Sequence, residues 1–176
     1  AARVRAAGGP GGAAAGIEIW DEDREIHPEV FEILELIAEA NVILATGHLA
    51  AEEVLALVEA AKERKVEKIL IQHTDLGIAR VPFELEKQLV KQGCILEKCY
   101  LACSEDFNDI TVQEMAESIK VLGADSCVMV TDYGQRHNLP PIKALSHFIE
   151  QMLLHGISEA EITKMVNYSP KKLLGI

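Results

Sequence analysis

From Ile17 onward, short apolar runs alternate with longer segments in which apolar residues recur every three or four positions. The short runs are typical of strands buried on both faces, and the longer segments are typical of amphipathic helices. The predicted strands cover residues 42–46, 68–72, 94–100 and 126–131. The predicted longer helices cover residues 28–40, 51–65, 82–92, 111–122 and 141–155. This repeat of strand and helix indicates an α/β fold with parallel strands and right-handed crossovers.

Local signals fix several helix ends. Thr111-x-x-Glu114 and Ser158-x-x-Glu161 are capping boxes, the second opening a short helix before a last turn at Ser169-Pro170. Each longer helix is expected to bury one apolar stripe, and the acidic residues of the second helix are expected to face solvent. The inward residues expected in the first two helices are Val30, Ile33, Leu34, Ile37, Val54, Leu57, Val58 and Ala61.

Polar residues with metal-binding chemistry lie at or near the ends of the predicted strands. They are His48, His73, Glu97 and Asp132. Because the carboxyl ends of parallel strands share one edge of a sheet, or one mouth of a barrel, these side chains are expected to converge. Two imidazoles and carboxylates suit a divalent ion, with zinc the first choice and manganese or iron the alternatives.

The predicted roles of these residues differ. Asp132 either binds the metal or takes a proton from a metal-activated water as general base. Glu97 is the weaker ligand, because the alternation of its strand also allows it to face solvent. The competing interpretation is that each histidine is a hydrogen-bonded structural residue.

The loop after Asp132 carries Gln135, Arg136 and His137 at the same predicted edge. We expect these three residues to bind a small-molecule substrate. Arg136 could hold a carboxylate or phosphate through two parallel hydrogen bonds, or it could be an ordinary exposed side chain. The four cysteines have no metal-site or disulfide spacing, so Cys99 and Cys103 are interpreted as reduced core thiols.

Charge narrows the expected partners. The chain has 17 Lys and Arg against 28 Asp and Glu, a net charge of −11, which is opposite to what nucleic acid or an anionic membrane requires. Its apolar runs are too short to span a bilayer, and a cytoplasmic location is expected. The first 16 residues are rich in Ala and Gly and are interpreted as a flexible or truncated segment, with one domain over residues 17–176.

Four segments together resemble the C-terminal half of metal-dependent hydrolases of the amidohydrolase superfamily, nearest to an uncharacterised prokaryotic branch. They are Thr46-Gly47-His48, Gln72-His73, Thr131-Asp132-Tyr133-Gly134-Gln135 and Asn167-Tyr168-Ser169-Pro170-Lys171-Lys172-Leu173-Leu174-Gly175. The resemblance implies a TIM (β/α)8 barrel of which residues 17–176 form about the last four βα units. It also implies that His48 and His73 are metal ligands from the fifth and sixth strands, and that Asp132 is the catalytic residue of the eighth.

The sequence lacks the His-x-His pair with which the superfamily opens, and four βα units cannot close a barrel. We therefore expect about four more units upstream, or pairing of two copies, with little catalysis by this chain alone. The hypothesis is a hydrolase that uses a metal-activated water on an amide, ester or phosphoester. The alternatives are a lyase or isomerase on the same barrel, or a non-catalytic assembly module or inactive half-barrel.

Overall fold

The sheet is parallel throughout and its strands follow chain order. In a computed structural model, which describes residues 16–176, the sheet contains four strands in the order β1-β2-β3-β4. The strands are β1 (Leu44–Ala45), β2 (Ile69–Ile71), β3 (Ile95–Cys99) and β4 (Cys127–Val130). A doubly wound fold reverses the strand order, whereas a barrel wall adds each strand beside the previous one. The order observed is that of a barrel wall, which confirms the predicted fold class.

The helices begin and end close to the predicted positions. They are α1 (Pro28–Ala40), α2 (Ala51–Glu63), α3 (Phe83–Lys91), α4 (Val112–Leu122), α5 (Pro141–Leu154), α6 (Glu159–Thr163) and α7 (Ser169–Leu174). Both predicted capping boxes form, with the Thr111 and Ser158 hydroxyls accepting from the main-chain N–H groups of Glu114 and Glu161. A π-helical turn over Lys164–Tyr168 joins α6 to α7.

The third strand ends one residue earlier than predicted. Tyr100 begins a 3-10 turn, Tyr100–Cys103, which carries the chain away from the sheet. The main-chain N–H of Leu101 donates to the carbonyl of Thr131 over 3.2 Å, so this turn stays attached to the end of β4.

The core has two unequal parts. The larger part fills the space between the sheet and its helices, with fully buried residues such as Ile71, Leu96 and Phe148. The smaller part covers the other face of the sheet, where Ile95 and Val128 pack with Leu173 of α7. At the carboxyl ends of the strands, this second face reaches the residues of the candidate site.

Two expectations about helix faces are wrong. Ile33 was predicted to face inward but is 54% exposed, because Leu34 takes the central position of the α1 stripe. Glu53 was predicted to face solvent but is buried, and its carboxylate accepts from the main-chain N–H groups of Ala50 and Ile19. Glu53 therefore caps the start of α2 from inside the fold.

Within residues 16–176, no helix combines the length and apolar character needed to cross a membrane. The Ala/Gly-rich segment predicted over residues 1–16 lies, apart from Gly16, outside the described residues.

Candidate functional site

Three potential metal ligands meet at the carboxyl ends of the strands. His73 follows β2, Cys99 ends β3 and Asp132 follows β4. Each offers one ligand atom, and these atoms all lie within 4.8 Å of one another. Because the strands are adjacent and parallel, residues 26 to 59 positions apart in sequence reach one small volume. Such a set of nitrogen, sulfur and oxygen donors matches the ligands that zinc accepts.

The turns after three of the strands share one backbone conformation. Gly47, His73 and Asp132 each lie two residues beyond the end of their strand, and each has a left-handed backbone with φ of 60°, 55° and 54°. Glycine adopts this conformation freely, whereas other residues carry a steric cost of roughly 1–2 kcal/mol. Two of the three candidate ligands therefore occupy strained positions, which persist only where the surroundings hold them.

His73 lies against Glu97, and both side chains are buried. Oε1 of Glu97 accepts from the main-chain N–H of His73 over 3.3 Å and lies 3.2 Å from Nδ1 of the ring. That second approach is not a hydrogen bond, and Nδ1 is among the few buried side-chain atoms in residues 16–176 without a hydrogen-bond partner. Glu97 thus faces the site rather than solvent, and the sequence had left both orientations open.

His48 lies beside this group of three without being part of it. Its side chain is exposed, and its ring stacks on that of His73 with centroids 4.7 Å apart and planes inclined by 12°. The two histidines are therefore neighbours, as the strand register predicted. A stacked ring covers its neighbour by its face, so the structure gives His48 a different relation to the site from that of His73.

Sequence reasoning missed Cys99, which it treated as a core thiol. Its Sγ–H group donates to the carbonyl of Thr131 over 3.7 Å, and burial raises the pKa of the thiol to about 12. The signal that could have found it is its position at the end of a strand, the criterion that selected the histidines. Cys103 is half-buried and lies outside the group of three.

The predicted substrate-binding residues lie on the exposed loop after Asp132. Nε2 of His137 donates to Oδ2 of Asp106 over 2.9 Å when that nitrogen carries the proton, and the Gln135 side chain accepts from that of Asn138. Arg136 is exposed. A cavity of about 450 Å³ lies between this loop and the turn after β3. Its lining residues are Ser104, Glu105, Asp106, Tyr133, His137, Asn138 and Leu139.

A second buried charged group lies on the helix side of β3, and the sequence analysis did not predict it. Lys98 is fully buried, and its ammonium group lies 2.7 Å from Glu86 of α3 and 3.2 Å from Asp75. Burial alone would lower the pKa of Lys98, but Asp75 and Glu86 raise it above its ordinary value. Burial also raises the pKa of Glu86, against the opposing effect of Lys98.

No curated protein matches the chain. The fold is similar to a crystal structure described as a "putative 2-pyrone-4,6-dicarboxylic acid hydrolase" from Pseudomonas putida, with a TM-score of 0.58 and 17% sequence identity. The match covers 93% of this chain but 64% of the other, so this chain spans less than two thirds of that protein. A family model also matches residues 2–97, more than half of the chain. The chain belongs to that family, the Family of unknown function (DUF6282).

Proposed function

We propose that this chain supplies the metal-binding part of an amidohydrolase-like hydrolase, with His73, Cys99 and Asp132 holding one divalent ion, zinc first. The observation that carries the proposal is the meeting of their three ligand atoms within 4.8 Å at the ends of three strands. The solved hydrolase of similar fold supports it, as does the resemblance of the strand-end segments to the amidohydrolase superfamily.

The residues present fit a cation. Nδ1 of His73 is buried without a hydrogen-bond partner in the described chain, and Glu97 provides negative charge beside it. Binding of a cation would give this nitrogen a partner and remove the cost of leaving a buried polar atom without a hydrogen bond. The aspartate and the histidine are also held in strained turns, as expected where function requires a fixed geometry.

When bound, the metal would polarise the scissile carbonyl or phosphoryl group and lower the pKa of a water molecule. In this proposal Asp132 accepts the proton of that water, and its exposure to solvent supports the role. His48 covers His73 from the solvent side and would limit the approach of bulk water. Glu97 orients His73 through its main-chain N–H.

The substrate would enter beside the 450 Å³ cavity between the loops that follow β3 and β4. Ser104 lines this cavity, and its buried hydroxyl has no hydrogen-bond partner in the described chain. Glu105 and Asp106 make the lining acidic. Because this lining is acidic, a neutral or cationic substrate fits better than a dicarboxylate of the kind that names the similar hydrolase.

The test is metal content and affinity in the full chain, with His73→Ala, Cys99→Ala and Asp132→Asn as variants and His155→Ala as control. His155 directly follows α5 and is not one of the three proposed ligands. We expect about one zinc ion per wild-type and control chain, and loss of that ion in the three variants. Equal metal content in all five proteins would overturn the ligand assignment. Hydrolysis of amide, ester and phosphoester substrates by the zinc-loaded protein then tests the reaction.

A further inference from the structure

The turn that carries His73 is hydrogen-bonded to two residues of β3, one on each face of the sheet. Residues 97 and 98 are neighbours in one strand, so their side chains point to opposite faces. We infer that Lys98 is a positioning residue for the metal site, holding His73 in ligand geometry through Thr74 and Asp75. The inference rests on the proposed role of His73 as a ligand.

On the site face, Glu97 fixes the beginning of the turn. Its Oε1 accepts from the main-chain N–H of His73 over 3.3 Å. Its main-chain carbonyl also lies 3.4 Å from the hydroxyl of Thr74. The turn therefore has two attachments to this single residue of β3.

On the helix face, Lys98 fixes the next two residues of the turn. Its Nζ donates to the Thr74 hydroxyl over 3.3 Å and to Oδ1 of Asp75 over 3.3 Å. Both Thr74 and Asp75 are buried, and Lys98 is fully buried. These bonds are longer than the 2.7 Å contact of Lys98 with Glu86, but water does not compete for them because the ammonium group and both partners are buried.

The geometry of His73 needs such an attachment. With φ at 55°, its backbone is in the left-handed region, and relaxation of the turn would swing the imidazole away from Cys99 and Asp132. The main-chain N–H of Leu76 donates to the carbonyl of His73 over 3.0 Å and closes the turn. Asp75 lies inside that closed turn, so the contact of Lys98 with Asp75 also restricts the backbone of His73.

The two carboxylates on Lys98 have separate roles, which gives a matched pair of variants. Asp75 belongs to the turn, whereas Glu86 belongs to α3 and lies 2.7 Å from the same Nζ. Asp75→Asn and Glu86→Gln each remove one of the two negative charges that contact the buried ammonium group of Lys98. Both are expected to lower stability, but the inference requires that only the first disturbs the site.

The experiment measures zinc affinity of the full chain by competition with a chelator. We expect Asp75→Asn to weaken zinc binding by about 10–100-fold, the range typical of residues that orient a metal ligand. Glu86→Gln should change it by less than about 3-fold, while Thr74→Val, which keeps every charge, should fall between them. Equal effects of Asp75→Asn and Glu86→Gln, or no effect of Asp75→Asn, would overturn the inference.

A second measurement on metal-free protein separates this inference from the proposed function. Exchange of the Leu76 amide hydrogen reports the closed turn. It should be at least about tenfold faster in Asp75→Asn and in Thr74→Val than in Glu86→Gln, whether or not zinc binds. Absence of zinc from the wild type would refute the metal centre alone, whereas equal exchange rates in all three variants would refute the role of Lys98. If Asp75→Asn does not fold, zinc affinity and Leu76 amide exchange are compared between Thr74→Val and Glu86→Gln instead.

Discussion

The turns after β1 and β2 have the same backbone shape but are built differently. Each has a left-handed residue two positions beyond its strand, Gly47 in the first and His73 in the second, and each presents an imidazole. His73 is buried and attached to β3, whereas His48 is exposed and stacks on it. Their different surroundings, rather than their shared residue type, decide which histidine has a fixed ring.

The first turn depends on the second. The main-chain N–H of Gly47 donates to the side-chain oxygen of Gln72, and the main-chain N–H of Gln72 donates to the hydroxyl of Thr46. Gln72 also donates to Glu97 over 3.5 Å. Support therefore runs from β3 through the second turn to the first, so damage to the second turn should be the more costly.

The largest expected effect is on stability, in the charged group behind the second turn. Lys98→Met leaves Asp75 and Glu86 buried without their cation, so the free energy of unfolding should fall by about 3–5 kcal/mol. Near the first turn, Arg24 pairs with Glu52 of α2, and both are exposed, so Arg24→Met should cost less than about 1 kcal/mol. Urea unfolding of both variants measures the difference, and similar losses would contradict the comparison.

The next effect is on metal affinity. His73→Ala should weaken zinc binding by more than about 100-fold, beyond the range of residues that merely orient a ligand. His48→Ala removes a stacked ring and should change zinc affinity by less than about 10-fold. Isothermal titration of both variants decides the matter, since an equal loss would make the two histidines equivalent ligands.

The stability of the region around β3 and β4 should depend on pH in a way that the region of the first turn does not. All four cysteines lie between residues 94 and 127, on the side of β3 and β4. Burial raises the pKa of Cys127 from 9.0 to about 12 and that of Cys94 to about 11. Since the folded-state pKa is raised, the thiol stabilises the fold fully below pH 9, and this contribution is lost as the pH rises from 9 towards the folded-state pKa. By pH 10.5 the loss should be about 2 kcal/mol for a thiol such as Cys127.

Urea unfolding at pH 8 and pH 10.5 measures this loss. Cys127→Ala should lose less stability than the wild type over the same pH interval, because its own thiol no longer ionises on unfolding. An unchanged pH dependence in that variant would show that Cys127 does not contribute.

The smallest expected effect is in the first turn itself. A Cβ at Gly47 meets no atom within 4 Å, so Gly47→Ala should cost only the left-handed strain, about 1 kcal/mol. Gly134 is equally open and lacks the positive φ, so Gly134→Ala is the matched control and should change stability by less than about 0.5 kcal/mol. Thermal unfolding of the two variants tests this, and equal midpoints would show that the backbone at position 47 imposes no strain on alanine.

The sequence was most informative where a feature depends on near neighbours or on a repeating pattern. The prolines and capping boxes placed the ends of α1, α4 and α6, and the strand register brought His73 and Asp132 to one place. It could not show that Lys98 is buried, because its carboxylate partners lie 12 and 23 residues away. Nor could it separate His48 from His73, since their exposure depends on tertiary packing.

The common offset of Gly47, His73 and Asp132 from their strands also bears on which sequence changes the fold can absorb. Side chains along a strand alternate between faces, so removing one residue within β4 would turn Asp132 from the site towards the helices. A substitution at the same strand would alter one contact and leave the others aligned. Length variation should therefore be excluded from the strands and confined to connecting segments that carry no candidate ligand and do not line the cavity beside the site.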